Sequence, residues 1–335
     1  MTRRLLLMAA QAAVSVALLA WLVKGLDTQT LKHVLLTVPA WYYALSLAVI
    51  VGGQVLYAWR WWLLLSAAGV GVPVGVATRY YFIGVFANNF LPSTVGGDAT
   101  KIYYLGREHG YRTIVASVMV DRMLGLGSLA VIAAVASWLV PPLSARFVAL
   151  RLVVTLVALA SCAVIALVMF GTGGVQRWIT PLGPWAVRLG EKVQRLRLDM
   201  ALLLRQPRII AYGTALVLVY FLSLASIYGW FMDITGTTRP PFVGIFTAVS
   251  MTGVLSIVPI SLNGLGVREQ LHAWLFAPLG VPKEVAVAIS LLLFGHVLVA
   301  SAIGLVLWLM QPAASSPASP TAAPDLRPPA AERGA

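Results

Sequence analysis

Charged side chains are scarce in this sequence. Asp, Glu, Lys and Arg make up 10% of its 335 residues, where a soluble domain typically carries about 25%. A chain that is 60% hydrophobic and this poor in charge cannot cover a water-facing surface. Acidic residues are the scarcest, with 11 Asp and Glu against 24 Lys and Arg. The resulting charge of +13 does not describe a nucleic-acid binder, because the basic residues flank apolar runs and build no basic face. Cysteine is nearly missing. Cys162 stands alone, which excludes an intramolecular disulfide. There is no Cys/His cluster, Asp-x-Asp pair, Walker loop or Gly-x-Gly-x-x-Gly fingerprint. These absences argue against an enzyme and imply no metal or cofactor.

Long apolar runs are what the sequence does have. Residues 1–24, 41–68, 114–140, 152–170, 209–231 and 285–310 each contain a stretch near the roughly 20 residues needed to span a bilayer. Trp, Tyr and Arg sit at many run ends, as expected of headgroup-level anchors. The pattern predicts an all-α, polytopic integral membrane bundle of about 6–8 spans over residues 1–310. Thr2-Arg3-Arg4 could open a signal peptide. The length of the run, Trp21, Lys24 and the lack of a small-residue cleavage site favour an uncleaved anchor. Residues 311–335 are rich in Pro and Ala and read as a disordered tail.

The basic residues set the expected orientation. Arg3 and Arg4 place the N-terminus in the cytoplasm, and the tail returns there. Seven basic residues between 177 and 208 face only Glu191 and Asp199, so residues 175–208 read as a cytoplasmic connector. Part of it has helical periodicity, with Leu189, Val193, Leu196, Met200 and Leu203 on one face and Arg188, Lys192, Arg195 and Asp199 on another. Such a helix is expected to lie on the inner leaflet against anionic lipids. A plain solvated connector is the alternative.

Two apolar segments are short and broken by Pro and Gly. The first carries Asn88-Asn89-Phe90-Leu91-Pro92 and then Gly96-Gly97-Asp98. The second carries Pro259 and then Asn263-Gly264-Leu265-Gly266-Val267-Arg268-Glu269. Either each re-enters the face it left, or the second crosses in two pieces. In the re-entrant topology the two enter from opposite faces, as in an inverted repeat. Gly/Pro-interrupted segments in corresponding halves point to a transporter's binding site, because unwound backbone survives at membrane depth only where it lines a cavity or is buried in protein. Arg60, Asp121 and Arg122 lie within spans, where ionisable groups face a bundle interior or a partner. Together with Lys101 they extend the candidate substrate path, and Asp98, Lys101, Arg122, Arg268 and Glu269 are expected in two clusters. Structural ion pairing is the competing explanation. His272 and His296 read as hydrogen-bonded packing residues.

These motifs, with Gly125 after Asp121-Arg122 and the Arg60-Trp61 pair, resemble the lysylphosphatidylglycerol synthase transmembrane-region family, whose members are often described as flippase-like. The resemblance covers roughly residues 5–310. It implies a helical domain of the bacterial inner membrane that handles lipids. In two-domain members a soluble aminoacyl transferase follows, and this chain has no room for it after Gln311. The short form is therefore expected to move a polar-headgroup, polyprenyl or hopanoid-type lipid between leaflets. The alternatives are a membrane-embedded transferase using a lipid-linked donor, or a scaffold for lipid-biosynthesis enzymes.

Overall fold

The computed structural model describes residues 24, 26–90, 96–141, 144–171, 184–257, 261 and 264–311. The first apolar run, apart from Lys24, and the 312–335 tail lie outside them, as do Pro92, Pro259 and Asn263. The described residues form an all-helical bundle. Five helices are long and apolar enough to cross a membrane: α2 (Ala40–Ala67), α5 (Tyr111–Leu139), α6 (Ala145–Phe170), α8 (Pro207–Ile234) and α11 (Lys283–Leu309). They coincide with five of the predicted runs.

Local chemistry explains where these helices start. Pro39 and Pro282 precede α2 and α11, and Pro207 is the first residue of α8. Proline suits that position because its fixed φ is helical and its missing N–H has no partner to lose. Ser144 caps α6 by accepting from the Phe147 N–H at 3.1 Å. Asp27 does the same for α1 (Thr28–Thr37), accepting from the Gln29 N–H at 3.0 Å.

The two broken segments are helical hairpins. The first pairs α3 (Val74–Phe90) with α4 (Gly96–His109), and the second pairs α9 (Phe242–Leu255) with α10 (Val267–Phe276). At 1.5 Å per residue the arms run about 26 and 21 Å, and about 21 and 15 Å, short of the roughly 30 Å hydrocarbon core. Both pairs run antiparallel. Tyr80 stacks on Tyr104, and Gly84 meets Gly97 nearer the first tip. In the second pair Gly244 lies against Leu279 at the base and Ser256 against Gly264 at the tip.

Each hairpin leaves and returns to one face. α2 ends where α3 begins, and α4 ends where α5 begins, with Trp61 of α2 bonded to Ser117 of α5 at 3.3 Å. α8 runs antiparallel to α2: Tyr42 donates to the Ile227 carbonyl at 2.9 Å, and Arg60 reaches Gly213. The second hairpin therefore starts and ends on the face opposite the first. This supports the re-entrant topology and the inverted arrangement, in which each half consists of a long helix, a hairpin and a long helix.

The core collects around α5, α8, α9 and α11. α6 is peripheral, and Leu152, Leu156, Leu159 and Leu167 point outward, as lipid-facing residues do. Helix α7 (Pro184–Leu204) departs from a simple surface helix. Met200, Leu203 and Leu204 are buried against α5 and α6, while Trp185, Leu189 and Val193 stay exposed. Arg112 pairs with Asp199 at 2.7 Å, and Arg197 and Arg205 donate to the Val168 and Met169 carbonyls at the end of α6. The last two turns of α7 thus plug into the bundle, and only the first turns carry a free amphipathic face.

Candidate substrate cavity

Between the two hairpins lies a cavity of about 460 Å³. Arg60, Asn88, Asn89, Lys101, Asp121 and Arg122 all line it. Six of the sequence-derived candidates, drawn from α2, α3, α4 and α5, therefore converge on one space. The remaining wall is largely apolar, with Leu126, Leu129, Val217 and Val297.

Asp98 sits just behind this wall and organises it. Its Oδ1 accepts from Lys101 Nζ at 3.2 Å and its Oδ2 from Arg122 Nε at 2.7 Å. Arg60 Nε donates to Asp121 Oδ1 at 2.7 Å, and Nη2 donates to the Asp121 carbonyl at 3.2 Å. Arg60, Lys101, Asp98 and Asp121 are all buried. Lys101 lies 4.3 Å from the centroid of the Tyr81 ring and 5.2 Å from that of Trp61. Burial of charge is tolerated here because every ion has a counter-ion within hydrogen-bond reach.

The glycines fix how close the backbones come. Any side chain on Gly97 would overlap the Gly84 carbonyl oxygen, so α3 and α4 meet backbone to backbone. Asn88 Oδ1 accepts from the Gly97 N–H at 2.7 Å, which serves a free donor at the start of α4. Asn89 bonds Ser301 of α11. Gly96 opens α4.

A second cavity, about 180 Å³, lies against the second hairpin. Arg268, His272, Ser290, Thr252 and Ser256 supply its polar lining. Glu269 is fully buried and accepts from the Gly266 N–H at 2.6 Å, Arg268 Nη2 at 2.8 Å and Ser290 Oγ at 3.0 Å. Gly264 and Gly266 have φ of 76° and 86°, left-handed values that favour glycine in the turn into α10. His272 packs with Tyr228 and Phe276 in a cluster of three near-parallel rings and makes two hydrogen bonds, in agreement with the packing role expected of it.

Tyr220, Phe221, Gly253 and Val297 line both cavities, where the two adjoin. Sequence reasoning missed these residues, and also Tyr57 and Tyr81. An aromatic or aliphatic residue within a span gives no sign of whether it faces lipid or a cavity. The one available signal is small: Gly53 and Gly253 are the glycines against which the Tyr220 and Phe221 rings pack.

The fold and the cavity together define a polytopic helical membrane protein with a charged chamber between opposed hairpins. Residues 8–311 match the family described as "Lysylphosphatidylglycerol synthase TM region", and the chain belongs to it. It is also similar to a UPF0104 membrane protein of Pyrococcus horikoshii, at 21% identity over 263 residues, covering 71% of this chain and 77% of the relative.

Proposed function

We propose that the protein moves a lipid headgroup between the leaflets of the inner membrane, with both termini and α7 in the cytoplasm. The carrying observation is the pair of cavities in series across the bundle, which adjoin at Tyr220, Phe221, Gly253 and Val297. Ionisable groups inside a membrane cost about 3 kcal/mol or more each, and they mark substrate paths when they face a cavity. Here five such groups surround one chamber and two more lie at the next. A headgroup in these chambers would exchange water for fixed polar partners, while its acyl chains stay in the bilayer. The basic face, with Arg107, Arg112 and α7, is read as cytoplasmic from its charge.

In this reading Arg60, Lys101, Asp121 and Arg122 touch the headgroup first, Tyr220 and Phe221 separate the chambers, and Arg268 with Glu269 forms the far station. No transferase activity is part of it. The test is reconstitution: purified protein in vesicles should speed dithionite bleaching of a fluorescent phospholipid in the inner leaflet, without any nucleotide. Bleaching at the protein-free rate, with and without a proton or sodium gradient, would remove the reading and favour a scaffold role.

A further inference from the structure

The first cavity is not electrically balanced. Three cations, Arg60, Lys101 and Arg122, share two carboxylates, Asp98 and Asp121. Residues 91–95 and 258–263 contain no ionisable side chain. One positive charge is left over at the chamber. The second cavity differs: Arg268 is matched by Glu269.

A specific donor accompanies this excess charge. Arg60 is 5% exposed and has committed Nε and Nη2 to Asp121. Its Nη1 has no hydrogen-bond partner among the described residues. A buried guanidinium nitrogen without an acceptor is costly, and an arriving anion would remove that cost. Gly125 lets the guanidinium lie close against α5, because a methyl group there would lie 3.0 Å from Arg60 Nη2 and 3.4 Å from Nη1. Lys101 spends one hydrogen bond on Asp98 and otherwise faces the Tyr81 and Trp61 rings.

We propose that this cavity receives the phosphate of an anionic lipid headgroup, with Arg60 Nη1 as the direct donor and Lys101 and Arg122 supplying the field. One negative charge completes the balance of the chamber. A zwitterionic headgroup brings its own cation and leaves the excess in place, and an uncharged one leaves both the excess and the unpartnered donor. The size favours a lipid over a free ion. A volume of about 460 Å³ lies within the roughly 300–1,000 Å³ of small-molecule sites, and Leu126, Leu129, Val217 and Val297 suit glycerol and the first methylenes. The proposal rests on the reading of the cavity as a lipid path and adds a charge class to it.

The test is binding by the full-length purified protein in a non-ionic detergent, read by thermal stabilisation against ligand concentration. The probes are dioctanoyl phosphatidylglycerol, dioctanoyl phosphatidylcholine, dioctanoylglycerol and inorganic phosphate. The phosphatidylglycerol should bind about tenfold tighter than the other two lipids, as a charge-assisted contact in a desolvated site warrants. Lys101→Met removes the excess charge while Arg122 still satisfies Asp98, and the preference should fall below about threefold. Arg122→Gln removes the same charge from a half-exposed position and should do likewise if Lys101→Met fails to fold. Equal binding of phosphatidylglycerol and phosphatidylcholine by the wild type would overturn the proposal. So would an unchanged preference in the folded variants. Inorganic phosphate binding as tightly as the lipid would overturn the lipid source in favour of a soluble anion. Leaflet exchange in vesicles separates the two levels: exchange without charge preference removes this proposal alone, and no exchange removes the transport reading.

Discussion

The two hairpins place an acidic residue in the same way and use it differently. In both, the carboxylate lies two residues into the returning helix: Asp98 follows the start of α4 at Gly96, and Glu269 follows the start of α10 at Val267. In both it reaches the long helix that follows, Asp98 touching Arg122 and Glu269 touching Ser290. Asp98 serves two cations beside an open chamber. Glu269 is sealed, with its neighbour Arg268, the Gly266 N–H and Ser290 as partners. The first hairpin therefore holds a site with a charge to spare, and the second holds a closed lock.

This difference can be broken by mutation, starting with the lock. Glu269→Ala should cost about 3–5 kcal/mol, because it leaves Arg268 and a buried N–H without their acceptor. Asp98→Ala should cost less, since the cavity and the half-exposed Arg122 give its cations access to other partners. Detergent melting of the two variants decides the matter, and a larger loss for Asp98→Ala would reverse the comparison. The backbones differ in the same sense. Gly97→Ala should cost about 1–3 kcal/mol by overpacking, since a carbonyl oxygen cannot step aside. Gly264→Ala should cost about 1–2 kcal/mol from its left-handed φ alone. Chemical melts of the pair test this ordering.

Transport should respond to both halves. Asp98→Ala, Arg122→Ala and Glu269→Ala should each lower leaflet exchange about tenfold or more while protein still reaches the membrane, because intramembrane charges of a path are not replaceable. Wild-type exchange in all three would mean that the charges are structural only. The smallest effect is expected on α7. Arg188→Gln and Lys192→Gln, on its outer turns, should shift stability by no more than about 0.5 kcal/mol, as exposed substitutions do.

Much of this was legible in the sequence where one physical signal dominated. The apolar runs located α2, α5, α6, α8 and α11 to within a few residues of most ends, because bilayer thickness leaves little freedom. Pro and Gly marked both hairpin tips. Arg60 and Asp121, 61 residues apart in sequence, drew attention as buried charges, but their partnership could not be read, since pairing depends on how α2 and α5 cross. Helix α7 was misjudged in part: periodicity gave the helix, but Leu189 and Met200 fall on one stripe, and only packing puts the first outside and the second inside. Tyr220 and Phe221 left only the faint signal of Gly53 and Gly253, because composition does not distinguish a cavity wall from a lipid-facing surface.

The central claim is that lipid headgroups pass through the space between the hairpins. Leu126→Cys in a Cys162→Ser background puts one thiol on the wall of the larger cavity. Leaflet exchange by this protein in vesicles should be near that of the Cys162→Ser parent, fall to the protein-free rate after a bulky methanethiosulfonate reagent, and recover on reduction. Undiminished exchange with position 126 fully modified would contradict the account.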